Sequence, residues 1–171
     1  ETECVESSSA ARKLEKACTN YLLKQYFGIN DLKYDQQGKP IPVSYKHISI
    51  SHSKGYVAVA GSDKNIGIDI EEIGNKAVRI SRKFRGKKDF NIDDAGFQEE
   101  LYWTMIWSVK EACFKKYSHV EHLIFSNQIH CVAVAVNTKV ITAQIEFSDG
   151  KKVSEELQYD FIDGFIVVYT L

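Results

Sequence analysis

Glu111 stands between Lys110 and Lys115 in residues 102–116, YWTMIWSVKEACFKK. Trp103, Ile106, Trp107, Cys113, Phe114 and Tyr117 recur there at three- and four-residue steps. With no proline or glycine inside, that spacing predicts a helix with one buried face. Glu111 follows Trp107 by four residues and precedes Phe114 by three, which sets its carboxylate at the margin of that face. A charge so placed needs a partner, because desolvating it alone is costly. Lys115, one turn on, offers a helical ion pair worth about 0.3–0.5 kcal/mol.

Residues 65–71, NIGIDIE, offer different partners. Ile66, Ile68 and Ile70 alternate with Gly67, Asp69 and Glu71, the period of a strand with one buried face. Asp69 and Glu71 then share a face, about 7 Å apart along the backbone. Two like charges so placed repel, and a hard cation such as Mg²⁺ relieves the repulsion through oxygen ligands. A lone D-x-E reads equally well as a solvated strand face. Two strand carboxylates, a third on a helix and flanking lysines form a more specific set. It suits a metal-assisted reaction on a phosphate-bearing substrate.

The surrounding pattern must position that set. Residues 1–9 are polar and expected to fray. From about residue 9 to 27, Leu14, Cys18, Tyr21, Leu22 and Tyr26 mark an apolar helical face, and Gly28 suits the C-terminal cap. Arg12, Lys13 and Lys16 fall on its other side. Residues 31–42 form a turn-rich connector holding Gly38-Lys39-Pro40, whose stiff backbone could aim the Lys39 ammonium. Residues 47–53 and 56–61 alternate around Lys54-Gly55, a hairpin signal. Ile48 and Ile50 face one way, and His47, Ser49 and Ser51 the other, with His52 at the hairpin end.

Residues 76–88 carry Lys76, Arg79, Arg82, Lys83, Arg85, Lys87 and Lys88 with no acidic residue between them. Ile80 and Phe84, four apart, suggest a short helix beneath. Seven like charges repel one another, and such a run is either a solvated face or a surface for an acidic partner or nucleic acid. Asp93, Asp94, Glu99 and Glu100 follow and are expected to start the long helix, where negative charge suits the dipole. Residues 129–136, 140–147, 157–162 and 165–169 are β-rich, with Asp149-Gly150 and Asp163-Gly164 as tight turns. The class is α+β, with helices packed on antiparallel sheet.

The chain has 171 residues, 44% hydrophobic and 26% charged, with a net charge of −1. That describes a soluble globular protein with a real core and no global field directing it to nucleic acid or membrane. No run of 18 apolar residues and no basic-plus-apolar leader is present, so a cytoplasmic protein is expected. Cys4, Cys18, Cys113 and Cys131 are scattered, indicating neither a disulfide framework nor a zinc site. His119 and His122 form H-x-x-H without a second ligand pair nearby.

ISISHS at 48–53, GIDIE at 67–71 and WSVKEACFK at 107–115 occur in the order of the signature motifs of the 4′-phosphopantetheinyl transferases. The sequence resembles the longer, Sfp-like branch, and GKP at 38–40 and the helix bearing Arg12 extend the likeness over most of the chain. The resemblance implies two pseudo-equivalent α+β halves, here 1–66 and 67–171, with coenzyme A bound between them. Arg12, Lys13, Lys39, Ser51 and His52 would contact the coenzyme 3′-phosphate. Asp69, Glu71 and Glu111 would hold Mg²⁺ on the pyrophosphate. Glu111 would take the proton of the attacking serine, Lys115 and Lys110 would neutralise developing charge, and Trp107 would pack.

The acceptor would be an acyl or peptidyl carrier protein, docking near Lys76, Arg79, Arg82, Lys83 and Arg85, on a monomer. Two departures stand out. The region ahead of the first helix is short for that branch, and Asp89 stands where the family often has Glu. Two other classes remain open: a metal-dependent phosphohydrolase using the same carboxylates, and a binding module for an acidic partner or anionic polymer through residues 76–88.

Overall fold

A computed structural model describes residues 2–36, 38–41 and 47–171, with the side chains of 2–9 and 94–95 excepted. Pro42 of the connector, the side chains of residues 1–9 and that of Asp94 therefore lie outside the described residues. The elements run α1 (Thr2–Phe27), β1 (His47–Ser53), β2 (Tyr56–Ser62), β3 (Ile68–Glu72), α2 (Asn75–Phe84), α3 (Ile92–Ala95), α4 (Glu99–Tyr117) and α5 (Phe125–Gln128). Four strands close the chain: β4 (Ile129–Ala135), β5 (Val140–Glu146), β6 (Lys152–Ile162) and β7 (Phe165–Thr170). The α+β class with antiparallel sheets is what the sequence pattern predicts.

Two sheets result. β1 and β2 form an antiparallel hairpin, and β3-β7-β6-β5-β4 form a five-stranded antiparallel sheet. At the hairpin tip Lys54 and Gly55 both take positive φ, 45° and 85°, the geometry whose twist matches the flanking strands. In the large sheet Ile141, Ala143, Ile145, Leu157, Ile166 and Val168 are fully buried under Met105, Ile106, Val109 and Cys113 of α4. Burying such side chains stabilises by about 1.5–3 kcal/mol each, which makes α4 on the sheet the principal core. Leu23, Ile29 and Ile48 form a smaller core under α1.

Three expectations change. α1 begins at Thr2, and it buries Thr19 and Leu23 rather than the face drawn through Leu14, Tyr21 and Tyr26. Leu14, Tyr21 and Tyr26 are 61%, 62% and 75% exposed. The reason is the docking angle: α1 packs on β2, where the Phe27 ring sits so close to Gly61 that a Cβ there would lie 2.4 Å from it. Gly28 does cap the helix, with φ of 67° and its N–H donating to the Lys24 carbonyl at 3.2 Å. The long helix starts at Glu99, because Gly96 (φ 64°) ends a separate four-residue turn over Ile92–Ala95. β6 begins at Lys152, five residues before the expected start.

Candidate functional site

Gly67 explains how the strand carboxylates reach the helix. A Cβ at residue 67 would fall 1.8 Å from the Ala112 carbonyl oxygen, so only glycine lets the chain pass this close to α4 before entering β3. Asp69 and Glu71 are thereby carried along the flank of the turn that bears Glu111 and Lys115. β3 itself is fixed by pairing with β7, Asp69 opposite Val168 and Glu71 opposite Ile166.

Lys115 donates to Asp69 Oδ1 at 2.9 Å and to the Ile68 carbonyl at 2.9 Å. The helical ion pair between Glu111 and Lys115 is thus replaced by one between helix and strand. Ser51 Oγ donates to the same Asp69 oxygen at 2.8 Å. Asp69 is 4% exposed, and its Oδ2 is buried with no hydrogen-bond partner among the described residues. Glu71 Oε1 accepts from Trp107 Nε1 at 3.3 Å, and Oε2 accepts from Ser53 Oγ at 3.0 Å. The Lys76 ammonium straddles both Glu71 oxygens at 3.3 and 3.4 Å.

Glu111 feels the result. Its carboxyl is pushed from 4.5 up to about 7, chiefly by burial, then by Asp69, against the opposing pull of Lys115, with Glu71 adding to the rise. Three carboxylates therefore share one electrostatic neighbourhood. Among the described residues no trio of His, Cys, Asp and Glu forms a ready cation cage, and lysines cover the strand carboxylates. The donor set nonetheless suits a hard cation: it is all oxygen, and the partnerless Asp69 Oδ2 is a buried acceptor that needs one.

A cavity of about 610 Å³ is lined by Lys39, Ser49, Phe114, Lys115 and His119 among others, and Lys115 is its link to the Asp69 carboxylate. Its size is that of a small-molecule site. The Gly38-Lys39-Pro40 turn is tied back on itself: the Lys39 N–H donates to Asp35 Oδ1 at 2.8 Å, and the Asp35 N–H donates to the Lys39 carbonyl at 2.9 Å. The Lys39 ammonium is buried without a hydrogen-bond partner among the described residues. Burial lowers its pKa, with Asp35 pulling the other way. A buried ammonium with no hydrogen bond among the described residues, beside an open cavity, suits an anion.

The remaining sequence-derived residues divide. Ser51 and His52 are neighbours on a strand and point to opposite sides. Ser51 is committed to Asp69, whereas exposed His52 approaches Thr19 of α1, Nε2 to Oγ1 at 3.4 Å. Arg12, two helical turns before Thr19, lies on the same face of α1, and Lys13 is rotated about 100° away. Both are exposed.

Lys110 requires correction. It is fully buried, its ammonium 3.0 Å from Asp89 Oδ2 and donating to the carbonyls of Ile129 and Phe125 at 2.6 and 3.1 Å. One residue from Glu111, it points about 100° round the helix into the core, so it serves the fold. Asp89 there also accepts the N–H groups of Gly86 and Cys131. Trp107 packs as expected, 5.1 Å from the Phe84 ring, and its donation to Glu71 is additional. Sequence reasoning missed Ser53, Ser49 and Lys76 as neighbours of the carboxylates. The S-x-S-x-S alternation of β1 was the available signal for the serines.

The basic run forms α2 and the loop after it. Arg79, Arg82, Lys83 and Lys87 are exposed and form no ion pair among the described residues. Lys76 is taken by Glu71, Lys88 by Glu146, and Arg85 lies 5.9 Å over the Trp103 ring. A larger cavity of about 730 Å³, between Arg85, Asn91 and Trp103, holds none of the candidate carboxylates other than the structural Asp89. Cys18, Cys113 and Cys131 are free thiols, and no helix among the described residues is long and apolar enough to cross a membrane.

No family model matches the chain. It is similar to the 4′-phosphopantetheinyl transferase psf-1 of Bacillus pumilus, 33% identical over 82 residues, which are 46% of this chain and 35% of that protein. It is also similar to the 4′-phosphopantetheinyl transferase Sfp of Bacillus subtilis (strain 168), 33% identical over 93 residues, 51% of this chain and 42% of that protein. The matched stretch thus covers about half of this chain and less than half the length of these curated relatives.

Proposed function

We propose that this chain transfers the 4′-phosphopantetheine group of coenzyme A to a serine of an apo acyl or peptidyl carrier protein, releasing 3′,5′-ADP. On this reading it follows the Sfp-like branch, with halves at 1–66 and 67–171 and coenzyme A between them. It works as a monomer in the cytoplasm. The observation that carries the reading is Lys115. Its ammonium rests on Asp69 while the same side chain lines the cavity that Lys39 also lines, the Lys39 ammonium being buried without a hydrogen-bond partner among the described residues.

The attacking serine oxygen forms its bond to the β-phosphorus, the bond from that phosphorus to the ADP oxygen breaks, and the serine proton passes to Glu111. In the metal-free protein burial and the neighbouring Asp69 raise the Glu111 carboxyl above the usual carboxylate range, and general-base assistance from a carboxylate contributes about 10²- to 10⁴-fold. Lys115 neutralises charge developing on the phosphates. Lys39, His52 and Arg12 recognise the 3′-phosphate. Mg²⁺ held by Asp69, Glu71 and Glu111 would, when bound, draw charge from the pyrophosphate. The exposed Arg79, Arg82 and Lys83 meet the acidic helix of the carrier, with Lys76 and Arg85 at the edges of the same face.

Incubation with coenzyme A, Mg²⁺ and an apo-carrier, followed by mass spectrometry of the carrier, tests the reading. A carrier heavier by one phosphopantetheine group is expected. Coenzyme A hydrolysed without change in the carrier would instead mark a phosphohydrolase.

A further inference from the structure

We infer that Ser51 and Ser53 are positioning residues that set the carboxylates of Asp69 and Glu71 for a cation without touching substrate. The inference rests on the transferase reading above and departs from it at Ser51, which the motif likeness assigns to the 3′-phosphate.

β1 belongs to the two-stranded sheet and β3 to the five-stranded one, so no backbone ladder joins them. Their junction is a row of serine hydroxyls. Ser49 Oγ accepts the Ile68 N–H at 3.0 Å, Ser51 Oγ donates to Asp69 Oδ1 at 2.8 Å, and Ser53 Oγ donates to Glu71 Oε2 at 3.0 Å. The three stand at alternate positions of β1 and therefore on one face of it. A serine has one hydrogen to give. Ser51 and Ser53 give theirs to a carboxylate, whereas Ser49 receives one from the backbone.

A hydroxyl orients a carboxylate without cancelling its charge, which a lysine cannot do. Held at Oδ1 by Ser51 and Lys115, Asp69 leaves Oδ2 buried and without a hydrogen-bond partner among the described residues. Lys76, with its side chain 65% exposed, can withdraw from Glu71 into water. Ser53 and Trp107 are neutral donors and would still fix that carboxylate afterwards. Groups that orient a ligand from behind in this way alter metal affinity by roughly 10- to 100-fold when removed.

The test measures Mn²⁺ binding by titration of its paramagnetic resonance signal, with coenzyme A present and no carrier, so that nothing turns over. Ser51→Ala and Ser53→Ala are each expected to weaken Mn²⁺ roughly 10- to 100-fold. Ser51→Thr, which keeps the hydroxyl, should remain near wild type. The Ser51→Ala deficit should be the same with dephospho-coenzyme A. Wild-type affinity in both alanine variants would overturn the inference, and so would a Ser51→Ala deficit that vanishes with dephospho-coenzyme A. Failure of the wild-type protein itself to bind Mn²⁺ would remove the metal-dependent transferase reading and the inference together.

Discussion

Replacing Lys110 by Met separates a structural lysine from a catalytic one. In the native protein its ammonium is fully buried beside Asp89, whose side chain is 2% exposed. The substitution keeps the length and apolar stem of the side chain but removes the charge and three polar contacts, those to Asp89, Phe125 and Ile129. Asp89 is then a buried anion whose remaining hydrogen bonds among the described residues come from the N–H groups of Gly86 and Cys131. Breaking a buried pair from one side costs about 3–5 kcal/mol, a large part of the roughly 5–15 kcal/mol that stabilises a domain. At about 2–4 °C per kcal/mol for a chain of this size, the melting temperature should fall by roughly 6–20 °C in differential scanning calorimetry. Adding Asp89→Leu should recover only part of this, because the Gly86 and Cys131 donors lose their acceptor. Below the transition the folded variant should transfer phosphopantetheine near the wild-type rate. An unchanged melting temperature, or a folded variant with transfer largely abolished, would return Lys110 to the phosphate site.

Other consequences follow from the same geometry. In the metal-free protein Glu111 holds its proton up to about pH 7, against an ordinary value of 4.5, so between the two the native state carries more protons than the unfolded one. Stability should therefore fall as pH rises through this window, by up to about 3 kcal/mol, and Glu111→Gln should remove that slope in denaturant melts. A wild-type minus variant difference independent of pH would contradict the assignment. Lys39→Met should shrink the preference for coenzyme A over dephospho-coenzyme A in competition assays, since each charge-assisted bond to phosphate is worth about 1.5–3 kcal/mol. Equal use of both substrates by the wild type would remove Lys39 from the site. Arg82→Glu with Lys83→Glu should raise KM for the carrier but not for coenzyme A, and the effect should fade with salt, which screens exposed charges over about 8 Å at physiological ionic strength. An unchanged carrier KM at low salt would leave these residues a solvated face.

Periodicity located the strand of Asp69 and Glu71, the helix of Glu111 and the β1–β2 hairpin, but not their burial. β3 buries Asp69 as well as Ile68 and Ile70, and α4 buries Tyr102, Met105, Ile106 and Val109 while Trp103, Trp107, Phe114 and Tyr117 are only half-buried. The helix α1 and its Gly28 cap were legible but its buried face was not, since its apolar residues surround the helix and docking on β2 selects Thr19, Leu23 and Phe27. Lys110 was misassigned because a lysine beside a candidate base looks the same in sequence whether it turns outward or 100° inward to Asp89, 21 positions earlier. The serine row was visible as S-x-S-x-S, but its partners lie 18 and 19 residues away, and that distance is closed only by the way β1 lies against β3. Lys115 shows the same limit: local spacing predicted Glu111 as its partner, and tertiary packing supplied Asp69.

The central claim is that Glu111, buried among carboxylates and lysines, takes the serine proton. Single-turnover transfer to an apo-carrier by Glu111→Gln, with folding checked by circular dichroism, tests this most directly. The rate should fall by on the order of 10²- to 10⁴-fold with coenzyme A binding retained. A folded variant that modifies the carrier at more than about a tenth of the wild-type rate, a loss well short of what a general base contributes, would show that the proton goes elsewhere.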